Sequence, residues 1–333
     1  AEWEFRRHVL PILAKRGCNS GACHGALAGK GGFRLSLRGY DPMSDHWTIT
    51  REARGRRIEP GDPGRSLLLA KPSGGVPHKG GLRFDVDSPD YRVLSAWIMA
   101  GAETPQAEDP ELVSVDVLPA KVTLQPAEVQ QLIVTAHYTD GRREDVTRWA
   151  KFSATNATVA TVSPEGLVSV IGYGQGAVAV WFSSRIVLAQ ITSPYAYDVD
   201  PESYRQSPQR NFIDALVLEK LASLKLAPSP RAGDEEFLRR VYLDTIGTLP
   251  TLEETRAFLD EGNSGETEQA QGQKRDRLID SLLDREEFVD YWTYKWSDLL
   301  LVNGRRLRPK AVKAYYEWIR SQVEQNRPWD EIV

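Results

Sequence analysis

The spacing of apolar and polar positions changes character along the chain. Near the start, Phe5, Val9, Ile12 and Leu13 recur at helical spacing, and the stretch runs into Arg16-Gly17, a helix stop. Residues 25–90 are rich in glycine and proline and keep no regular period, so most of this segment is expected to be loop. A helix returns over residues 89–101, where Tyr91, Leu94, Trp97 and Ile98 share a face and Gly101 is the stop. After a polar, acidic linker at 106–111, short β-rich runs take over. They are Val113/Val115/Val117, Val122/Leu124, Leu132–Tyr138, Val159–Val162, Leu167–Val170, Ala177–Phe182 and Ile186–Ile191. Turn signals separate them at Thr139-Asp-Gly141, Ser163-Pro-Glu-Gly166 and Gly172–Gly176. About seven short strands at this spacing predict a β-sandwich.

Residues 195–209 read as a second linker, and from Asn211 the pattern is helical again, with Phe212, Ile213, Leu216, Val217 and Leu221. Asp234 is placed to cap a helix carrying Phe237, Leu238, Val241 and Tyr242. Thr251-Leu-Glu-Glu254 fits a capping box, with Gly262 as that helix's end. Residues 263–272 read as a polar loop, followed by helical stretches at about 273–300 and 309–326. The predicted fold class is multidomain α+β. Residues 1–105 form a small helical unit, 112–194 a β-sandwich and 210–333 an all-α domain. The opening at Ala1 in a helix-like pattern is expected of a chain whose leader has been removed. The stop after Trp329-Asp-Glu-Ile-Val333 is expected of a piece with a partner domain further on.

The 333 residues are 41% hydrophobic, which suits folded domains, and no run approaches a membrane span. The net charge of −4 hides an asymmetry. Residues 1–105 hold 16 Lys+Arg against 11 Asp+Glu, a net of +5, and the remainder holds 26 against 35, a net of −9. A surplus this small points away from nucleic acid; it is most often only a solvated face, and it also suits an anionic cofactor or an acidic partner.

The only two cysteines sit in Cys18-Asn-Ser-Gly-Ala-Cys23-His24. A c-type haem needs two thiols for the two vinyl groups of one porphyrin and a histidine next to the second. The usual gap between the cysteines is two residues and here it is four. Asn19, Ser20, Gly21 and Ala22 are small enough to bulge out. Cys18 and Cys23 are thus expected to attach one haem c, with His24 as an iron ligand. A Cys18–Cys23 disulfide and a zinc site completed by His8 or His78 are the alternatives. For the opposite face of the iron the candidates are His8, His46, His78, Met43 and Met99. His78 is favoured, because it lies in the glycine- and proline-rich loop Lys71-Pro-Ser-Gly-Gly-Val-Pro-His78-Lys-Gly-Gly, which can approach a flat cofactor.

The run from Phe5 through Cys18 and Cys23 to His24-Gly25 resembles the start of the planctomycete-type cytochrome c proteins. Ile58-Glu-Pro-Gly-Asp-Pro-Gly-Arg-Ser-Leu-Leu-Leu69 and Ala96-Trp-Ile-Met-Ala-Gly-Ala102 resemble that family's later motifs. Residues 113–193 resemble a bacterial Ig-like group 2 domain, and 210–333 a helical domain of unknown function that usually follows. The resemblance implies an exported bacterial protein, periplasmic or otherwise extracytoplasmic, with covalent haem on Cys18 and Cys23 and His24 as proximal ligand. Many relatives carry methionine in the distal motif, where this chain reads Val76-Pro-His78. Three functions follow as expectations. The first is electron transfer with a partner protein or downstream domain. The second is a haem oxidoreductase acting on a polymer or small substrate, with a pocket lined by Trp292, Trp296, Tyr291 and Phe288. The third is a surface adhesion or scaffold protein.

Overall fold

The computed structural model describes residues 3–261 and 268–332. The chain is a mixed α+β protein that divides into two compact units, Ala1–Pro228 and Ser229–Val333. Gly262 and the start of the predicted polar loop lie outside the described residues. Among the described residues, no helix is long and apolar enough to cross a membrane.

In the first unit, a π-type turn at Phe5–Val9 leads into α1 (Leu10–Lys15). Gly17, at φ +74°, turns the chain where the Arg16-Gly17 stop was expected. The loop-rich stretch that follows holds only α2 (Pro42–Thr50), α3 (Leu67–Ala70) and short 3₁₀ turns. α4 (Pro89–Met99) starts at Ser88, whose hydroxyl accepts from the Tyr91 N–H, and ends before Gly101 at φ +95°. Phe5, Val9, Leu10, Ile12, Leu13, Ile49, Leu69, Leu94, Trp97 and Ile98 form one core, which fixes α1 against α4 and leaves the loops to wrap one side.

Ten strands follow. They are β1 (Leu112–Leu118), β2 (Lys121–Thr123), β3 (Val129–Gln131), β4 (Ile133–Tyr138), β5 (Arg143–Asp145), β6 (Lys151–Ala154), β7 (Ala160–Val162), β8 (Leu167–Val170), β9 (Gly174–Phe182) and β10 (Arg185–Ser193). They pair in three sheets ordered β1-β4-β5, β2-β10-β9-β6 and β3-β8-β7. All pairings are antiparallel except β2 with β10. Val134, Ala136, Val168, Val178, Val180 and Ile191 meet in a single core. The period-two pattern is the cause, since alternate residues of each strand point inward. β3, β5 and β6 escaped the sequence reading because they are short and mostly polar.

The two cores are joined. Trp149 packs against both. Lys15 Nζ donates to the carbonyls of Arg148 and Pro164, Arg7 pairs with Glu144, and the Arg38 guanidinium lies 5.5 Å from the Trp181 ring centre. His8 is wedged edge-on between Trp3 and Trp149. The first unit then continues through α5 (Glu202–Arg205) to α6 (Phe212–Leu224), opened by a capping box between Asn211 and Asp214.

The second unit holds α7 (Asp234–Thr245), α8 (Leu252–Asp260), α9 (Glu268–Leu283), α10 (Glu286–Leu299), α11 (Pro309–Glu324) and α12 (Trp329–Ile332). Its core is Leu238, Tyr242, Ile246, Phe258 and Leu282. The Thr251–Glu254 capping box forms as expected. Asp234 does not cap: Gly233 holds that position, and the Asp234 carboxylate takes Lys274 at 2.8 Å and Arg275 at 2.6 Å. Two buried cations forty residues away outcompete the local backbone N–H groups for it. The stretch expected as one helix over 273–300 is two, α9 and α10.

Candidate functional site

A cavity of about 850 Å³ opens in the loop-rich side of the first unit, within the range of sites that enclose a whole cofactor. Cys18, Cys23, His24 and His78 all line it. The apolar part of its wall comes from Leu13, Phe33, Leu67, Leu68 and Phe84.

The path from α1 to His24 is set by backbone hydrogen bonds. The Cys18 N–H donates to the Leu13 carbonyl, Cys23 N–H to Ser20, and His24 N–H back to Cys18, at 2.8–2.9 Å. The four-residue gap therefore closes as a turn, with Gly21 and Ala22 exposed, and both sulfurs stay on the cavity wall. Gly25 is needed at the exit, because a Cβ there would lie 2.3 Å from the Asn19 carbonyl oxygen. Both thiols are free in this structure. Desolvation pushes the Cys18 thiol up to about 11. The Cys23 sulfur accepts a long hydrogen bond of 3.6 Å from the Arg83 guanidinium.

The two histidines come from segments more than fifty residues apart. Their rings are 6.3 Å apart between centroids and lie within 10° of parallel. Each is anchored through Nδ1 to a backbone carbonyl at 3.0 Å, His24 to Phe33 and His78 to Gly81. With the proton on Nδ1, each ring keeps its lone pair on Nε2, the arrangement found in imidazoles that bind metals. Burial lowers the His24 pKa, the Phe33 carbonyl opposes this, and the neighbouring His78 lowers it further. Gly80 backs the His78 ring: a Cβ at position 80 would lie 2.7 Å from its Cε1 and 3.0 Å from its Nε2.

The other distal candidates are elsewhere. His8 is buried at the junction with the sheets, and its Nδ1 accepts from the Glu4 N–H. His46 bonds the Ala102 carbonyl at 2.9 Å. Met43 and Met99 are exposed. Among the described residues, no three or more His, Cys, Asp or Glu side chains converge as a metal-ion cluster. The expected aromatic pocket in the last domain is packing. Trp292 donates to the Thr245 carbonyl, Trp296 stacks on Trp329 at 4.0 Å, Tyr291 lies against Gly247 and Phe288 borders the core.

Sequence reasoning missed the residues that shape the cavity from a distance. Arg57 ties three loops together. It donates to the carbonyls of Thr48 and Gly32, pairs with Glu52 and lies 4.6 Å over the Phe33 ring. The basic run Arg54-Gly-Arg56-Arg57 was the one available signal. Arg83 and Gly80 carried none.

Comparison with known proteins gives a family match over residues 212–333 to PSCyt2, described as a protein of unknown function (DUF1549). This corrects the resemblance drawn from the sequence to the planctomycete-type cytochrome c proteins. The match lies outside the cysteine, histidine and later motifs on which that resemblance rested, and its description assigns no haem. No curated protein matches the chain. Among solved structures, domains 5–6 of the S-layer protein SbsC are similar at 17% identity and a TM-score of 0.24, over 28% of this chain and 48% of that one. Domains 4 and 5 of the same S-layer protein give 15% identity and a TM-score of 0.22, over 26% and 53%. These likenesses are too slight to carry a functional reading.

Proposed function

We propose that residues 1–105 hold one haem c, covalently attached through Cys18 and Cys23, with His24 and His78 as axial ligands, and that the protein transfers electrons outside the cytoplasm. The observation that carries this reading is the His24–His78 pair across the cavity wall that bears both thiols. Both histidines would hold the iron of that haem, their ring centres lying 6.3 Å apart. The apolar walls suit a porphyrin face, and Lys30 and Arg56 suit its two propionates. Cys18 and Cys23, both on the cavity wall, would hold the haem as thioethers. Bound haem supplies one-electron chemistry, and two histidine ligands give a lower potential than a histidine and a methionine.

In this reading residues 112–194 form an Ig-like β-sandwich acting as a spacer, 210–333 an all-α domain, and the redox partner is a separate protein or a downstream domain. The test is an absorption spectrum, oxidised and reduced, of protein made with a haem c maturation system. It is repeated on Cys18→Ala, Cys23→Ala, His24→Ala and His78→Ala. A sharp reduced α-band that survives acid–acetone extraction is expected, lost as covalent haem in the cysteine variants and converted to high-spin by His78→Ala. An intact mass with no haem adduct overturns the proposal.

A further inference from the structure

The cavity wall carries six cationic side chains, Lys30, Arg56, Arg57, Lys71, Lys79 and Arg83, and no carboxylate. Two of them are committed within the protein, Arg57 to Glu52 and the loop carbonyls, and Arg83 to the Cys23 sulfur and the Arg16 carbonyl. Lys30, Arg56, Lys71 and Lys79 are exposed, and none has an ion pair among the described residues. Four unpaired cations around one opening repel one another and attract anions into it. A haem brings two propionates, which leaves positive charge at the mouth in surplus.

Resting on the haem reading above, we infer that this mouth is the docking surface for an acidic redox partner protein. The cations surround a concave opening and come from three separate loops, at 30, 56 and 71–79. That arrangement suits a compact acidic patch better than the evenly spaced phosphates of a nucleic acid, which call for a stripe. Three of the four are lysines, whose strongly hydrated point charges give orientation and encounter rate without a fixed bidentate fit. Such steering raises association rates by about 10 to 10³ and falls steeply with ionic strength. The site of electron entry and the site of charge attraction then coincide.

The experiment follows reduction of the haem-loaded full chain, by stopped flow with reduced flavodoxin as the acidic protein donor and by flash photolysis with the small neutral lumiflavin semiquinone as the control. At low salt the flavodoxin rate constant is expected to fall about 10-fold in Lys71→Glu/Lys79→Glu. It should also fall about 10-fold in the unaltered protein when salt is raised from about 10 mM to about 300 mM, because the Debye length shrinks severalfold. The lumiflavin rate should keep its value in both cases. A flavodoxin rate indifferent to salt and to charge reversal overturns the docking surface while leaving the haem in place. So does tight binding to duplex DNA that the same substitutions abolish with the flavodoxin rate unchanged. A chain with no haem spectrum overturns the haem reading and the redox docking with it, and the spectrum tells that failure from the others.

Discussion

Gly80→Ala isolates the contact behind the His78 ring, the distal ligand of the proposed haem. Gly80 does not occupy the left-handed region, so alanine is acceptable to its backbone and the perturbation is one methyl group. That methyl would stand 2.7 Å from His78 Cε1, 3.0 Å from Nε2 and 3.3 Å from Nδ1, where ordinary contact begins at 3.4 Å. The ring must therefore withdraw by about 0.7 Å at Cε1, while ligand distances at a metal site hold to within about 0.2 Å. The cost of retaining the ring in place is of the order of overpacking, about 1–3 kcal/mol. Loss of the sixth ligand is the expected outcome, read as conversion from low-spin to high-spin in the absorption spectrum of the haem-loaded protein. Gly101→Ala is the control: φ +95° strains the backbone by about 1–2 kcal/mol, nothing lies within 4 Å of the new methyl, and the spectrum should be unchanged. A Gly80→Ala protein that keeps the low-spin spectrum and the reduction potential would refute the packing argument.

Three further outcomes are expected. Burial lowers the His8 pKa to about 4 from 6.5, so the unfolded chain binds the proton first as pH falls. Stability should drop between about pH 6.5 and 4, by roughly 3 kcal/mol from this group at about 1.4 kcal/mol per unit. Denaturant melts of His8→Phe across that window should show a shallower slope, and an equal slope sinks the assignment. In the haem-free protein Cys18, with its thiol at about 11, should be alkylated by iodoacetamide at pH 8 far more slowly than a free thiol, which mass spectrometry of timed digests reads directly. Asp234→Asn leaves Lys274 and Arg275 buried without their carboxylate, and thermal melts should show a loss of about 3 kcal/mol; a change under 0.5 kcal/mol would mean those cations find other partners.

What the sequence disclosed is what short-range geometry determines. The helices at 10–15 and 89–99, the Thr251–Glu254 capping box and the strands with clean alternation all follow from spacing and end signals. Cys18, Cys23 and His24 were legible as one motif, and His78 was favoured because its glycine- and proline-rich loop can approach a flat cofactor with no helix in the way. The cavity itself was not legible. Arg57 closes it by reaching carbonyls nine and twenty-five positions back, and Arg83 reaches Cys23 across sixty. Nothing local marks such partners. Asp234 looked like a cap because its neighbours allow one; the cations that claim it come from another helix. The likeness of 5–102 to a named family rested on these same local motifs, and the family match falls instead on 212–333.

The turn between the two cysteines bears on how such sites vary over evolutionary time. Asn19–Ala22 closes on its own backbone, and Gly21 and Ala22 project into solvent, so insertions or replacements at those two positions meet no packed neighbour. Gly25 has no such freedom, with the Asn19 carbonyl 2.3 Å from any added carbon. Side chains can thus change at 21 and 22 without moving either thiol from the cavity wall, whereas at 25 any side chain must displace the backbone that positions Cys18.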